Sequence, residues 1–335
     1  MNVPPELRCL AHGAGLAADP GPTVEDSAAL VCAQGCRVPV EGGVPRFVAT
    51  ESYTAGFGLQ WTAHPRTQLD SATGTRISGD RLSRCVGGLE RVAGRSVLEV
   101  GCGAGRFTEV LLDAGARVFA CDLSRAVEAN HANFRGRAAH FVCQADLMAL
   151  PIAPGSFDVV VAVGVLQHTP RPEAAVRTLA SALRPGGLLA LDHYARPPGS
   201  GWAWRMAALL SPRALLRRAM LALPPRLAQS AAAGVTRALL PIHRRLWRRG
   251  PVVDRARAVF RRLSPVVDHY DRLPELSPGQ LAEWSALDTH DALTDRYKHL
   301  RTADEVRGLL VAAGLVEIEA VYGGNGVEAR GRRPA

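Results

Sequence analysis

The 335-residue chain is almost without lysine: Lys298 is the only one, and the other 39 basic residues are arginines. Aromatic residues make up 5% of the chain, and no run of 18 apolar residues occurs, so no transmembrane helix is expected. The first residues lack the basic-then-apolar pattern of a signal peptide, which predicts a cytoplasmic location. The seven cysteines are odd in number and dispersed, which argues against a disulfide framework.

Acidic residues are nearly absent from residues 205–262. This segment holds 14 arginines and one acid, Asp254, which gives it a net charge of +13 against +9 for the whole chain. The remainder is therefore slightly acidic, and any contact with an acidic partner is expected in this segment. With 47% hydrophobic residues, the chain can bury one full domain core with substantial additions.

A glycine-rich turn follows a short apolar run within residues 97–107. The run Val-Leu-Glu-Val leads into Gly101-x-Gly103-x-Gly105, and helix-forming residues come next. Glycine suits such a turn because it accepts positive φ angles and lets a ligand approach the backbone. A strand, a glycine turn and a helix in this order predict the nucleotide-binding corner of a doubly wound α/β fold.

Acidic residues end the next two predicted strands. Asp122 closes an apolar run 21 residues after Gly101, where a carboxylate can accept both hydroxyls of a ribose. Asp146 closes a third run. Later patterns predict a fourth strand at 156–168, a fifth at 188–194 after Leu-Arg-Pro-Gly-Gly, a helix at 303–313 capped by Thr302, and two final strands at 315–321 and 326–331.

Together these motifs resemble the class I S-adenosylmethionine (SAM) dependent methyltransferases. The resemblance covers about residues 95–195 and 300–332 and rests on Glu99, the three glycines, the two acids and Leu-Arg-Pro-Gly-Gly. It implies a doubly wound, seven-stranded, mostly parallel α/β sheet that ends in an antiparallel hairpin. A nicotinamide dinucleotide site is the alternative, but its third glycine lies three residues after the second, whereas here the spacing is two.

We expect four regions. They are a zinc-ribbon-like segment at 1–50, a helical cap at 51–95, a SAM-binding core formed by 96–196 and 301–335, and a helical insertion at 197–300 that covers the acceptor site. Prolines at 212, 224, 225 and 241 predict breaks between short helices in the insertion.

The resemblance also implies the cofactor contacts. Asp122 would bind the ribose hydroxyls and Asp146 the adenine amino group, while Gln60 and Trp61 would close the pocket. Arg76 and Arg106 are candidates for the SAM carboxylate. The full predicted set is Gln60, Trp61, Glu99, Gly101, Cys102, Gly103, Gly105, Arg106, Asp122, Leu123, Ala145, Asp146, Leu147, Gly164 and Val165.

The acceptor side needs at most one base, because the sulfonium of SAM supplies the electrophile and the enzyme aligns the acceptor. Histidine suits this role because its charge changes near neutral pH. The candidates follow the fourth and fifth strands or stand in the insertion: His168, His193, Tyr194, Asp288 and His290. Asp288 or Thr289 could instead cap a helix.

Two pairs of soft metal ligands stand near the start of the chain. Cys9-x2-His12 and Cys32-x3-Cys36 can place four donors tetrahedrally around Zn²⁺. With the following run 38–48, they resemble the zinc-ribbon-like segments ahead of some bacterial methyltransferase domains, although the Cys/His pair and the three-residue spacing depart from that pattern. The segment is therefore either a structural zinc site or a metal-free remnant held by apolar contacts.

The sequence thus predicts a SAM-dependent methyltransferase of a small molecule, such as a natural-product or sugar-bearing intermediate, by direct transfer to oxygen, nitrogen or carbon. One alternative is an RNA or protein methyltransferase that binds its polymer through 205–262. However, the fourth strand lacks the Asn/Asp-Pro-Pro-Tyr ending of amino-group enzymes that act on nucleic acids. Another is a SAM-binding accessory protein without turnover. Segment 205–262 could also be a solvated lid or contact a membrane surface.

Overall fold

The computed structural model describes residues 3–19, 28–48, 55–247 and 254–335. The strands are β1 (Leu16–Ala18), β2 (Ala29–Cys32), β3 (Arg37–Glu41), β4 (Val44–Pro45), β5 (Ser96–Val100), β6 (Arg117–Asp122), β7 (His140–Gln144), β8 (Phe157–Ala162), β9 (Leu183–His193), β10 (Val316–Gly323) and β11 (Gly326–Arg332). The α-helices are α1 (Ala55–Ala63), α2 (Asp70–Thr73), α3 (Ile77–Val86), α4 (Arg106–Asp113), α5 (Ala126–Asn133), α6 (Pro172–Ala182), α7 (Trp202–Leu209), α8 (Pro212–Leu221), α9 (Pro225–Trp247), α10 (Asp254–Leu263), α11 (Pro278–Thr294) and α12 (Ala303–Ala312).

The larger sheet has seven strands in the order β10-β11-β9-β8-β5-β6-β7. Strands β5 to β9 are parallel, and β11 pairs antiparallel with both β9 and β10. The predicted doubly wound sheet with a final hairpin is therefore confirmed. The chain runs from β5 outward through β6 to β7, then returns to β8 on the other side of β5. This reversal makes a crevice at the carboxyl ends of β5 and β8, where ligands of such sheets bind.

The central strands are buried on both faces, as parallel strands must be when helices cover both sides. All five residues of β5 are buried, and apolar clusters lie on each face of the sheet. Two predicted strands have different bounds. The fourth ends at Ala162, and a 3-10 turn over Leu166–His168 follows it, while the fifth begins at Leu183.

The insertion between β9 and α12 is helical, as expected, with two differences. Ser277 and Gln280 form a capping box at the start of α11, so Asp288 and Thr289 lie within that helix and cap nothing. Pro212 and Pro225 each start a helix, but Pro241 lies inside α9. Extensive packing of α9 on α11 compensates for the hydrogen bond that Pro241 cannot donate. No described helix is both long and apolar enough to cross a membrane.

A second, four-stranded antiparallel sheet, β1 to β4, docks on the β7 edge of the large one. The backbone N–H of Phe47 donates to the carbonyl of Gln144 at 2.8 Å. The buried guanidinium of Arg46 donates to Gln144 Oε1 at 3.1 Å and to Glu128 at 2.8 Å. The small sheet thereby covers an edge that would otherwise present unpaired backbone groups.

Candidate functional site

A cavity of about 1090 Å³ opens at the carboxyl ends of β5, β6, β7 and β8. Its other walls include α1, α3, the end of β9, α11, the segment that precedes α11 and the turn between β10 and β11. Small-molecule sites are typically about 300–1,000 Å³, so this cavity is large enough for a cofactor together with a second small molecule. The crevice of the sheet and the helical insertion therefore form one site.

The glycine turn lies on the floor of the cavity. Gly101 has φ +70°, and a Cβ there would lie 2.4 Å from Val165 Cγ2. Gly105 has φ +104°, and a Cβ there would lie 2.2 Å from Phe134 Cε2. Both positions thus require glycine for conformation and for space. Cys102 lines the cavity between them.

Asp122 joins the glycine turn to the end of β6. Its Oδ2 accepts from the N–H of Gly103 at 3.0 Å, and its Oδ1 accepts from the N–H and hydroxyl of Ser124, each at 2.8 Å. Burial raises the pKa of Asp122, while these three donors oppose that shift. Asp146, whose Oδ1 accepts from the N–H of Met148, lines the same end of the cavity. The structure also brings Leu123, Ala145, Leu147, Gly164 and Val165 to the cavity.

Glu99 lies beneath the turn and is only 2% exposed, so it does not line the cavity. Its Oε2 accepts from the hydroxyl of Thr108 at 2.6 Å, and its Oε1 is buried without a hydrogen-bond partner. Burial raises the pKa of Glu99 to about 8. Glu99 therefore links β5 to α4 beneath the turn.

The substitution Glu99→Gln is expected to flatten the pH dependence of stability. A folded-state pKa of about 8, against an ordinary 4.5, means that the folded protein holds a proton that the unfolded chain releases. The stability that this proton supports is complete below pH 4.5 and is lost as the pH rises to 8, by ~5 kcal/mol in all, of which ~3 kcal/mol is lost between pH 5.5 and 8.5. Urea unfolding at pH 5.5 and 8.5 should show a smaller decline in Glu99→Gln than in the parent or in exposed Glu317→Gln. Equal declines would contradict this assignment.

Two arginines stand together at the β8 side of the turn. Their guanidinium groups lie 5.5 Å (Arg81) and 5.2 Å (Arg106) from the Phe107 ring centroid. Burial, and next the charge of Arg81, lower the pKa of Arg106 to about 9. Arg76, the other predicted arginine, is exposed, pairs with Asp80 and does not itself line the cavity. Arg81 lies on α3, outside the glycine motif, and no local pattern marks it.

Asp192 fixes Arg81 in place. Its Oδ2 accepts from Arg81 Nε at 3.0 Å and Nη2 at 2.5 Å, and its Oδ1 accepts from the N–H of Gly164 at 2.6 Å. Burial lowers the pKa of Arg81, but Asp192 more than offsets this, so the net shift is upward. The carboxylate therefore ties α3 to the turn after β8.

Trp61 and Gln60 cover the cavity from α1. The indole of Trp61 faces Gly103, where a Cβ would lie 3.4 Å from the ring nitrogen. Gln60 bridges to α11: its amide donates to the carbonyl of Leu287 at 3.2 Å, and its Oε1 accepts from His290 Nδ1 at 2.7 Å. Helix α1 thus contacts both α11 of the insertion and the glycine turn after β5.

His168 and Tyr194 form the polar end of the cavity, as predicted for a base after the fourth or fifth strand. His168 Nδ1 lies 3.3 Å from the carbonyl of Tyr297 and donates to it, which leaves Nε2 unprotonated in the neutral ring. His168 Nε2 lies 3.8 Å from Asp291, which accepts the Tyr194 hydroxyl at 2.9 Å. Asp295 lies 3.7 Å from Nδ1. Two carboxylates thus flank this imidazole.

The other three predicted catalytic residues differ in position. Asp288 lines the cavity and accepts from His269 Nε2 at 2.7 Å. Burial alone would raise its pKa, but this bond and the charges of His269 and Arg106 together lower it. His193 and His290 do not line the cavity. His193 is 1% exposed, bonds through Nδ1 to the carbonyl of Tyr194, and has a pKa lowered to about 4 by burial. Neither histidine is therefore among the residues that line the cavity, and their role as acceptor-side bases stays a prediction.

The four potential metal ligands near the start of the chain lie close together. His12 Nδ1 lies 3.8 Å from Cys9 Sγ, 3.6 Å from Cys32 Sγ and 3.5 Å from Cys36 Sγ. All four ligand atoms lie within 4.8 Å of one another. Two tight turns position them, because Gly13 N–H donates to the carbonyl of Cys9 and Gly35 N–H to that of Cys32. The donor set and spacing fit a tetrahedral Zn²⁺ site, in which sulfur and nitrogen ligands lie about 3.5 Å apart.

Comparison with known proteins identifies the central part of this chain. Residues 98–191 match the family model described as a methyltransferase domain. Ubiquinone biosynthesis O-methyltransferase of Idiomarina loihiensis is 37% identical over 115 residues, which cover 33% of this chain and 47% of that protein. The protein of the same name from Ralstonia nicotianae is 39% identical over 99 residues, covering 29% and 42%. The chain thus spans about half the length of the relatives it matches.

A solved structure, an S-adenosylmethionine dependent methyltransferase from Mesorhizobium loti, is 16% identical with a TM-score of 0.39. The alignment covers 72% of this chain and 93% of that one.

Proposed function

We propose that this chain, which belongs to the class I SAM-dependent methyltransferases, transfers the methyl group of SAM to a hydroxyl oxygen of a small molecule. The observation that carries the proposal is the continuity of one cavity from Asp122 and the glycine turn to His168 and Tyr194. The first end suits an adenosyl group, and the second can orient and deprotonate an acceptor.

The residues that line the cavity fit SAM along its length. Asp122 lines the cavity and would accept from the ribose hydroxyls, Asp146 lines it and would accept from the adenine amino group, and Leu123 and Leu147 supply apolar walls. Arg81 and Arg106 place two positive charges near the methionine end, where they would bind the carboxylate of SAM. Trp61 would close over the turn.

Methyl transfer at this site is a direct displacement. The acceptor oxygen forms a bond to the methyl carbon as the carbon–sulfur bond breaks, and S-adenosylhomocysteine leaves with the electron pair. His168 Nε2 takes the proton of the acceptor hydroxyl, and the resulting imidazolium lies between Asp291 and Asp295. The remaining work of the protein is alignment of the acceptor oxygen with the methyl group.

The name of the matched relatives, O-methyltransferase, supports oxygen as the acceptor atom. We extend the proposal to small hydroxylated biosynthetic intermediates, with phenolic compounds as the first to screen and sugar-bearing natural-product precursors in the same panel.

Calorimetric titration with SAM and S-adenosylhomocysteine tests the cofactor assignment. We expect micromolar binding that Asp122→Ala weakens by at least 100-fold, because two charge-assisted bonds to the ribose, each about 1.5–3 kcal/mol, are lost. Asp304→Ala removes an exposed carboxylate on α12 and should leave the affinity unchanged. Folded protein that binds neither compound would refute the proposed function.

We further propose a structural zinc ion at Cys9, His12, Cys32 and Cys36. A four-ligand site leaves no open coordination position, so zinc would hold the small sheet together and take no part in methyl transfer. Elemental analysis should find one zinc per chain, and the double substitution Cys32→Ser, Cys36→Ser should abolish it. Cys85→Ala, in the core, should retain it. A metal content near zero in folded protein purified without chelator would contradict the zinc site.

A further inference from the structure

The outward faces of α8 and α9 combine exposed leucines with arginines. We name this the Arg/Leu surface. Its members, all exposed, are Leu215, Arg218, Leu221, Leu223, Arg226, Leu227, Arg237, Ile242, Arg244 and Arg245. The turn between the helices, residues 221–227, is exposed at seven successive positions, and Leu227 is 58% exposed.

The opposite faces of the same helices are fully engaged. Met220 of α8 and Ala232 of α9 are buried in a cluster with Leu293 of α11. Arg217 of α8 donates through Nε to the buried carboxylate of Asp295 at 2.5 Å. These contacts fix both helices on α11. The Arg/Leu surface is therefore held in place by a packed inner face, and its own side chains remain available for a partner.

The charge of the surface has one sign. Residues 205–253 contain no aspartate or glutamate. Among the described residues, none forms a salt bridge or hydrogen bond with the side chains of Arg218, Arg226, Arg237, Arg244 or Arg245. Among the described arginines of the insertion, Arg217 pairs with Asp295, and Arg261 pairs with Asp268 and Asp271. The exposed arginines are thus unneutralised by the protein itself.

We propose that the Arg/Leu surface binds an anionic lipid bilayer. Arginine guanidinium groups pair with phosphate headgroups, and large apolar side chains enter the boundary between headgroups and acyl chains. A contiguous exposed apolar patch within a basic rim is typical of an interaction site. The aliphatic character favours lipid over RNA, because single-stranded RNA is bound by aromatic side chains that stack on bases, and this surface has none. The inference does not depend on the proposed function.

Sedimentation with large unilamellar vesicles tests this inference on the full chain. We expect binding to vesicles of phosphatidylcholine with about 30% phosphatidylglycerol, because anionic lipids attract polybasic surfaces. We expect little binding to vesicles of phosphatidylcholine alone. The triple substitution Arg218→Gln, Arg226→Gln, Arg237→Gln should lower partitioning on the order of 100-fold. Leu223→Ser with Leu227→Ser should lower it about 10-fold or more at unchanged charge.

Matched controls separate the surface from the overall positive charge. Arg95→Gln, Arg135→Gln, Arg177→Gln removes three exposed arginines elsewhere, and Val311→Ser with Val321→Ser removes two exposed apolar side chains elsewhere. Both controls should bind like the parent. Equal losses in the surface and control triples, or no binding by the parent to anionic vesicles, would overturn the inference. Retention on single-stranded RNA without vesicle binding would also overturn it and assign the surface to a polynucleotide.

Discussion

Replacement of His168 by alanine is expected to lower kcat by about 10²–10⁴-fold while SAM affinity changes little, because general bases contribute on this order. The residue lies at the opposite end of the cavity from Asp122, so cofactor binding should not require it. The hydrogen bond from Nδ1 to the carbonyl of Tyr297 directs Nε2 toward Asp291 and the cavity. Single-turnover rates with saturating SAM measure the effect, once an acceptor is in hand.

Rescue by added imidazole distinguishes a base from a structural role. A small cavity at position 168 can admit imidazole, which should restore part of the rate in His168→Ala. Tyr194→Phe removes the hydroxyl that donates a hydrogen bond to Asp291, and it should lower kcat less than His168→Ala does. His131→Gln, on α5 and not among the residues that line the cavity, is the matched control and should retain activity. Unchanged turnover in His168→Ala would exclude this histidine as the base.

The residues at the cofactor end of the site could be predicted from the sequence because they are close along the chain. The glycine turn, Asp122 and Asp146 follow successive strands, and the carboxyl ends of parallel strands meet at one edge of the sheet. Strand spacing alone therefore predicts that they converge, and Gly101, Gly103 and both acids line the cavity, whereas Gly105 packs against Phe134.

The residues at the acceptor end could not be predicted in this way, because they come from elements that are distant along the chain. Asp291 and Asp295 lie more than 120 positions after His168, and only the packing of the insertion brings them to it. His193 does not line the cavity because adjacent strand residues face opposite sides. Its neighbours Asp192 and Tyr194 point toward the cavity side, whereas His193 is buried away from it. A pattern of histidine and acid gives no information about which side chain turns inward.

Asp192 is another residue whose role could not be predicted from the sequence. In sequence it is the acid beside two candidate bases, but in the structure its carboxylate contacts neither of them and holds Arg81 and the N–H of Gly164. The side chains are 2% (Asp192) and 11% (Arg81) exposed. Such a buried pair is costly to break, since removal of one partner leaves the other charge in a poorly solvated place.

Asp192→Ala is therefore expected to destabilise the protein by about 3–5 kcal/mol and to weaken SAM binding, because Arg81 loses its anchor. Asp113→Ala breaks the exposed pair with Arg137 and should cost no more than about 1 kcal/mol. Urea unfolding measures both.

The double variant Arg81→Met, Asp192→Leu separates stability from cofactor binding. Replacement of both charges by apolar side chains removes the buried uncompensated ion, so much of the lost stability should return. SAM affinity should remain low, because one of the two positive charges at the methionine end is gone. A double variant that regains both stability and SAM affinity would show that Arg81 serves the fold alone. In that case Arg106, whose guanidinium lies over the same Phe107 ring, would be left as the residue for the SAM carboxylate.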